Sequence, residues 1–217
     1  MGYFHVSDGS YESNGDMLTI GEYTRTIDNF EDNRQVLKSR YRGDLSDYRL
    51  DSSLVSQGSQ ALFQTHRNQH KEIDSLPGDG LPYYPTPDDR FRFRIAVRQE
   101  RADARLSFFK TSYGQDDQYE FHLSDYGNAI ALWAKPSRYE KERLAYEQHN
   151  PVYDRFYEFE VDSKLVGGDV VLDLSAWQPN GNRVINERVR DSKYTFTGGG
   201  IRWASYKQAS FDHARTI

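Results

Sequence analysis

Three acids at alternate positions, Glu158, Glu160 and Asp162, are the first candidates for chemistry in this chain. On a β-strand their side chains share one face, with successive carboxylates about 6.5–7 Å apart. A carboxylate pair about 5–5.5 Å apart is what retaining cleavage of a glycosidic bond uses. The competing reading makes the same acids the polar face of a strand whose Phe159 and Val161 point inward. The arginine row Arg92, Arg94 and Arg98 then supplies cross-strand partners. That structural reading is preferred, which makes the expected protein a non-enzyme with a glycoside hydrolase or polysaccharide lyase as the alternative. Gln118, Glu120 and His122 also share a face and read as a solvated strand surface. His66 and His70 have zinc-like helical spacing, but no Glu completes an H-E-x-x-H string, so they read as a connection. Gly198-Gly199-Gly200 lacks a following Lys-Ser/Thr and reads as the kinked start of a strand rather than a phosphate cradle.

Binding chemistry is sought among the aromatic residues. A pyranose has an apolar C–H face, and an exposed Trp or Tyr offers it a flat platform at low entropy cost. Trp203 follows Ile201 in a strand pattern and is assigned to the core, while Trp133 is ambiguous as to side. Tyr83, Tyr84 and Trp177 fall in expected turns or loops and are the ligand-binding candidates. Their alternative role is to anchor loops, since a Tyr beside Pro often packs down.

The bulk numbers narrow the classes. Hydrophobic residues make up only 36% of 217, but 16 Tyr, 12 Phe and 3 Trp supply large rings that bury much area each. With 28 Lys plus Arg against 33 Asp plus Glu, there is no basic excess of the kind that marks nucleic-acid binding. The absence of Cys excludes disulfides, Cys–zinc sites and thiol catalysis. No run is long and apolar enough to span a bilayer, so no membrane insertion is expected. The stretch MGYFHVSDGSYESNG has neither a basic n-region nor an apolar h-region. It reads as no signal peptide, so the expected extracellular or virion-surface location requires either a mature chain re-started at Met1 or exit from the cell without a secretion signal.

Elements that must position these residues follow from period-two alternation. In Arg90–Arg98, Phe91, Phe93, Ile95 and Val97 share one face and the arginines the other. Further strands are expected at 104–110, 118–123, 129–134, 156–161 and 170–174, separated by turn residues, as in an antiparallel sandwich. Residues 135–154 carry Tyr139, Arg143 and Tyr146 at helix-like spacing between Pro136 and Pro151, which predicts a short helix or ordered loop over a sheet edge. Residues 77–87 are a proline-rich loop. In residues 1–25, Tyr3–Val6 and Tyr11 flank Ser7-Asp8-Gly9-Ser10, a hairpin signal, and Met17–Ile20 adds a further strand. This N-terminal extension is expected to anchor residues 26–217 to other structural proteins or to a second copy.

Several strings carry a resemblance. Ile27-Asp28-Asn29-Phe30-Glu31-Asp32 is close to an opening "(I/V)-D-D-F-E-D". Leu54–Thr65 matches a "V-x-x-G-S-x-A-L" second strand, and the segment from Val170 through the glycine triplet to Arg215 resembles the final strands. Together they resemble the concanavalin A-like (laminin-G-like) jelly rolls of lectins, carbohydrate-binding modules and some polysaccharide-cleaving enzymes, of the kind common in haloarchaeal surface and viral proteins. The resemblance covers residues 26–217 and implies an all-β antiparallel sandwich with an N-terminal β-hairpin extension. It further implies a module that binds a glycan or glycoprotein surface, as a virion protein contacting a host envelope would; a purely architectural turret or decoration protein is the other possibility. In glycosidases of this broad fold the acids follow E-x-D-x-x-E, from which Glu158-x-Glu160-x-Asp162 departs. The short motifs of the alginate-lyase-like relatives are missing as well. Modules of this look carry a structural calcium where first and last strands meet, which points to Asp28, Glu31 and Asp212, with Asn29 beside them.

Overall fold

Along Arg90–Val97, Phe91, Phe93, Ile95 and Val97 are buried while the arginines between them face outward, as strand alternation requires. The same rule organises the rest of the computed structural model, which describes residues 11–13, 18–20, 24–113 and 116–217. The strands are β1 (Tyr11–Ser13), β2 (Leu18–Ile20), β3 (Thr26–Asp28), β4 (Arg42–Gly43), β5 (Tyr48–Asp51), β6 (Ala61–Gln64), β7 (His70–Ser75), β8 (Arg90–Val97) and β9 (Asp103–Lys110). They continue as β10 (Gln118–Ser124), β11 (Ala129–Lys135), β12 (Glu142–Gln148), β13 (Tyr157–Val166), β14 (Asp169–Trp177), β15 (Arg183–Asp191), β16 (Gly200–Tyr206) and β17 (Ala209–Thr216). A helix, α1 (Arg34–Arg40), is capped by the Asn33 side chain, which accepts from the backbone N–H of Gln35 and Val36.

Among the described residues, one antiparallel sheet runs in the order β12-β11-β10-β9-β16-β7-β4. The other runs β15-β14-β13-β8-β17-β6-β5, with β3 also paired to β17. This is the expected all-β sandwich of concanavalin A-like jelly-roll type. The two chain ends do meet, Ala214 standing opposite Asp28. β17 serves two partners along one edge, Ala209–Phe211 facing β6 and Ala214–Arg215 facing β3. A break in register between Asp212 and Arg215 makes this possible, with His213 at φ 53°. Among the described residues, β1 and β2 pair only with each other, Tyr11 opposite Ile20. The Ser7–Ser10 turn expected from sequence lies outside the described residues.

Between the sheets lies an aromatic layer. Phe93 stacks on Phe159 at 5.2 Å and 8°, and Phe121 and Trp203 of the opposite sheet meet Phe93 edge-on at 6.1 and 6.4 Å. Trp203 also contacts Phe30 at 5.5 Å and Phe211 at 5.3 Å. Its indole N–H donates to Tyr41 Oη at 3.0 Å, and the Tyr41 hydroxyl donates to Asp28 Oδ2 at 2.9 Å. The polar handle of a fully buried ring is thus satisfied. The glycine triplet has a steric reason: a Cβ at Gly198 would lie 2.3 Å from the Lys110 carbonyl oxygen. Only glycine lets that backbone approach so closely.

One segment departs from the sequence reading. Residues 142–148, expected as helix or loop, form β12 on the outer edge of β11. The unpaired backbone groups of that edge need a partner, and this outweighs the helix-like spacing of Tyr139, Arg143 and Tyr146.

Replacing Phe93 by Ala should lower stability by about 3–5 kcal/mol, read as a lower urea midpoint at unchanged slope. Tyr139→Ala, at an 89% exposed position, should stay within about 0.5 kcal/mol of the parent.

Candidate functional site

The acids that suggested catalysis are held in a ladder. Glu158, Glu160 and Asp162 on β13 stand opposite Arg94, Arg92 and Arg90 on β8. Glu160 pairs with both Arg90, at 2.7 Å, and Arg92. Glu158 receives Arg94 Nη2 at 2.8 Å and Arg92 Nη1 at 3.3 Å. Arg98, the third expected partner, turns instead to Asp154 at 2.9 Å. The oxygens of Glu158 and Glu160 are thus taken up by guanidiniums rather than presented as a pair to a substrate.

The ligand-binding candidates separate. The Tyr83 hydroxyl donates to Asp89 at 2.7 Å, and Tyr84 Oη sits 2.9 Å from Ser75 Oγ and accepts from the Leu81 N–H at 3.3 Å. Both rings pack against the core cluster. They hold the proline-rich loop in place, the alternative role foreseen for them, because each hydroxyl already has a protein partner. Trp177 closes β14 rather than lying in a turn. It borders an open depression of about 520 Å³ with Arg92, Arg94, Phe156, Glu158 and Gln178. The guanidiniums of Arg92 and Arg183 lie 5.5 and 5.3 Å from its ring centre.

The carboxylates expected to cage calcium are each used by other donors. Asp28 accepts from the Phe30 N–H and the Tyr41 hydroxyl, both at 2.9 Å. Glu31 accepts from the N–H groups of Ser59 and Gln60 at 2.8 and 3.1 Å, and Asp212 Oδ2 from that of Ser56 at 2.9 Å. Among the described residues no three His, Asp or Glu side chains gather to hold a metal ion. Asp212 Oδ1 is buried without a hydrogen-bond partner in the protein, and calcium would want six to eight oxygens directed at one point.

A groove appears on the outward face of the other sheet. Alternation turns Gln118, Glu120, His122 and Ser124 of β10 away from the core, together with Asp103, Arg105 and Ser107 of β9 and Ala129, Ala131, Trp133 and Lys135 of β11. Tyr146 of β12 stands opposite Ala131. All of these but Gln118 and Ser107, walled by Arg138, Tyr139, Lys141 and Tyr126, enclose about 400 Å³. Small Ala129 and Ala131 give it depth. Its mouth carries Tyr126, Tyr139 and Tyr146, 72%, 89% and 39% exposed. Trp133 lies on the wall, 6.2 Å from the His122 ring.

The floor is charged yet buried. Glu120 and Arg202 are each only 2% exposed. Around Glu120 are Gln118 Nε2 at 2.7 Å, His122 Nε2 at 3.1 Å, Lys135 Nζ at 3.5 Å and Arg105 Nη1 at 3.6 Å. Beside it, Arg202 pairs with Asp74 at 2.6 Å and Asp116 at 2.7 Å, and Lys135 joins the two groups through Asp116 at 3.2 Å. Burial pushes the Glu120 carboxyl up. The His122 hydrogen bond and the charges of Arg105, His122 and Lys135 outweigh that and hold it well below the usual range. Arg105 Nε and Gln118 Oε1 are buried without a hydrogen-bond partner in the protein.

Gln118, Glu120 and His122 were singled out from sequence, but as a solvated face. Trp133 was left ambiguous, although Ile130, Leu132 and Ala134, all buried, mark its side by alternation. Tyr146 was missed because its strand was not recognised. Tyr126, Arg138 and Tyr139 reach the groove from loops, and no local pattern announces them.

No protein-family model matches the chain, and no curated protein matches it in sequence. Solved structures do match in fold. A carbohydrate-binding module from Bacillus subtilis aligns at TM-score 0.50 and 11% identity, covering 79% of this chain and 96% of that one. A Bacillus subtilis protein of unknown function with a galectin-like fold aligns at 0.51 and 13%, covering 90% and 94%. The receptor binding domain of botulinum neurotoxin D aligns at 0.53 and 7%, covering 95% of this chain and 48% of that one. At such identities the likeness establishes the jelly-roll fold.

Folding favours ionised Glu120, so its contribution is fully present above about pH 4.5, the ordinary Glu value, and is lost as pH falls through the lowered folded value. Glu120→Gln should flatten the acid limb of thermal stability against pH. At neutral pH the same change should cost about 3 kcal/mol, since it leaves buried cations under-compensated.

Proposed function

We propose that this chain is a non-catalytic glycan-recognition module and that its binding face is the groove over β9–β12. The observation that carries this is the gathering of Trp133 and three exposed tyrosines around a floor of polar side chains. Flat rings suit the C–H faces of sugars, and partly satisfied polar groups suit hydroxyls that both donate and accept. Burial of an unmet donor costs about 1–3 kcal/mol, so a ligand in the groove that satisfies Arg105 Nε gains from it. Among the folds similar to this one is a carbohydrate-binding module, which agrees with the reading.

A non-catalytic role is supported by the state of the acids. Glu158 and Glu160 are engaged by arginines, and Glu120 is held ionised, which suits it to accept hydroxyl hydrogens rather than to donate a proton. The module would act outside the cell or on a virion surface, against a glycan-bearing envelope. The β1–β2 ribbon, paired only with itself among the described residues, would attach it to another structural protein or a second copy by strand addition.

A glycan microarray probed with the parent, Trp133→Ala and Trp177→Ala tests this reading. Trp133→Ala should reduce bound signal at least about tenfold, the loss of one stacked ring, while Trp177→Ala leaves it within about twofold. The reverse pattern would move the site to the depression at Trp177. Release of reducing ends from any bound polysaccharide, abolished by Glu160→Gln, would replace the module by an enzyme.

A further inference from the structure

Two cations lie near the Trp133 ring and a third, Arg138, lines the same groove, none with a carboxylate partner among the described residues. Lys141 Nζ lies 4.5 Å from the Trp133 ring centre, and the Arg143 guanidinium lies 6.0 Å from it and 4.5 Å from that of Tyr146. Arg138 sits 6.0 Å from the Tyr139 ring. Ring contacts are the interactions these three side chains make, whereas the chain's other groove cations, Arg105 and Lys135, are paired to Glu120 and Asp116. Glu140, between Tyr139 and Lys141 in sequence, forms no ion pair with them among the described residues. The groove therefore holds Arg105, Lys135, Arg138 and Lys141 against Asp103 and Glu120. That is an excess of positive charge within a chain whose net charge is −5.

Such a rim is costly unless it has a use. Cations crowded on one lip repel one another, and a surface cation over a ring gains only about 0.5–1 kcal/mol. A ligand that brings its own anions removes the repulsion while its rings remain free to stack. Polyphosphate chains would bring anions too, but the floor carboxylates Asp103 and Glu120 oppose a phosphate backbone and favour a ligand rich in hydroxyl donors.

We propose that the groove selects acidic saccharides, chains bearing carboxylate or sulfate groups, with a sugar ring against Trp133 and its anion at Lys141, Arg143 and Arg138. This rests on the groove being the glycan site, and deepens that reading by naming the ligand class. Rim cations set the charge preference, the floor acids read hydroxyls, and the rings hold the chain.

Affinity electrophoresis through gels containing polygalacturonate, heparin, dextran or a single-stranded oligonucleotide tests it. Polygalacturonate or heparin should retard the protein more than dextran, and the retardation should fall as salt rises from about 0.05 to 0.5 M. The stronger of the two distinguishes carboxylate from sulfate. The double variant Lys141→Ala/Arg143→Ala, both at exposed positions, should weaken the acidic interaction about tenfold and leave that with dextran within about twofold. Equal or stronger retardation by dextran, indifference to the double variant, or preference for the oligonucleotide would each overturn the inference. If Trp133→Ala abolishes binding to dextran while acidic polymers show no advantage, the groove survives as a glycan site and only the charge preference falls. If Trp133→Ala changes nothing, or no polymer retards the parent, both fall together.

Discussion

Phe93 lying flat on Phe159, with Phe121 and Trp203 closing from the opposite sheet, is the contact on which the rest of this molecule depends. Rings of this size fit one register only. A slip by one residue would send each of them to solvent and turn the outward arginines and glutamates into the core. Once the layer is set, the outward face of every strand is set with it. The Arg–Glu ladder of β8 and β13 and the groove over β9–β12 are therefore two consequences of one packing arrangement.

The two outer faces use charge differently. On β8 and β13 alternating arginines and glutamates meet directly across strands, and most of them are partly exposed, so each pair contributes little beyond holding side chains in order. On β9, β10, β11 and β16 the charges are covered by the loops above them, and Glu120 and Arg202 are nearly inaccessible. Buried ions remain tolerable there because Glu120 meets several cations and an amide at once, while Arg202 is shared between Asp74 and Asp116. This network stiffens a surface that would otherwise be floppy with long side chains. A stiff polar surface bordered by rings is a favourable one for recognising hydroxyl-rich ligands.

Much of the sandwich was legible in the sequence. Arg90–Arg98 and Gln118–Leu123 alternate so regularly that strand type and inward face follow from the side-chain pattern alone, whereas Trp133 in Ala129–Ala134 blurs the choice of side. The opening Ile27–Asp32 string and the closing strands pointed to a fold in which the ends meet, and β3 lies beside β17. Legibility failed at β12, where spacing within one segment suggested a helix and the decisive factor was the open edge of β11, a neighbour not visible in the segment itself. It failed in another way at Tyr83 and Tyr84. Their position in a loop suggested exposure, but partners on Asp89, Ser75 and Leu81 draw them down.

What the sequence determined by itself is the material: an all-β chain with aromatic inward faces, charged outward faces and no thiol chemistry. Period-two alternation is a local property, and local properties can be read from a line of residues. Only the tertiary structure decided which outward face became a groove. Trp133, Tyr146, Arg105 and Glu120 belong to four strands, β11, β12, β9 and β10, that lie side by side as a meander, and Tyr126 and Tyr139 come from the turns between them. Pairing at long range then brings β16 and β7 in beside β9 with Arg202 and Asp74, and there hydrogen-bonded edges rather than side-chain patterns choose the neighbours.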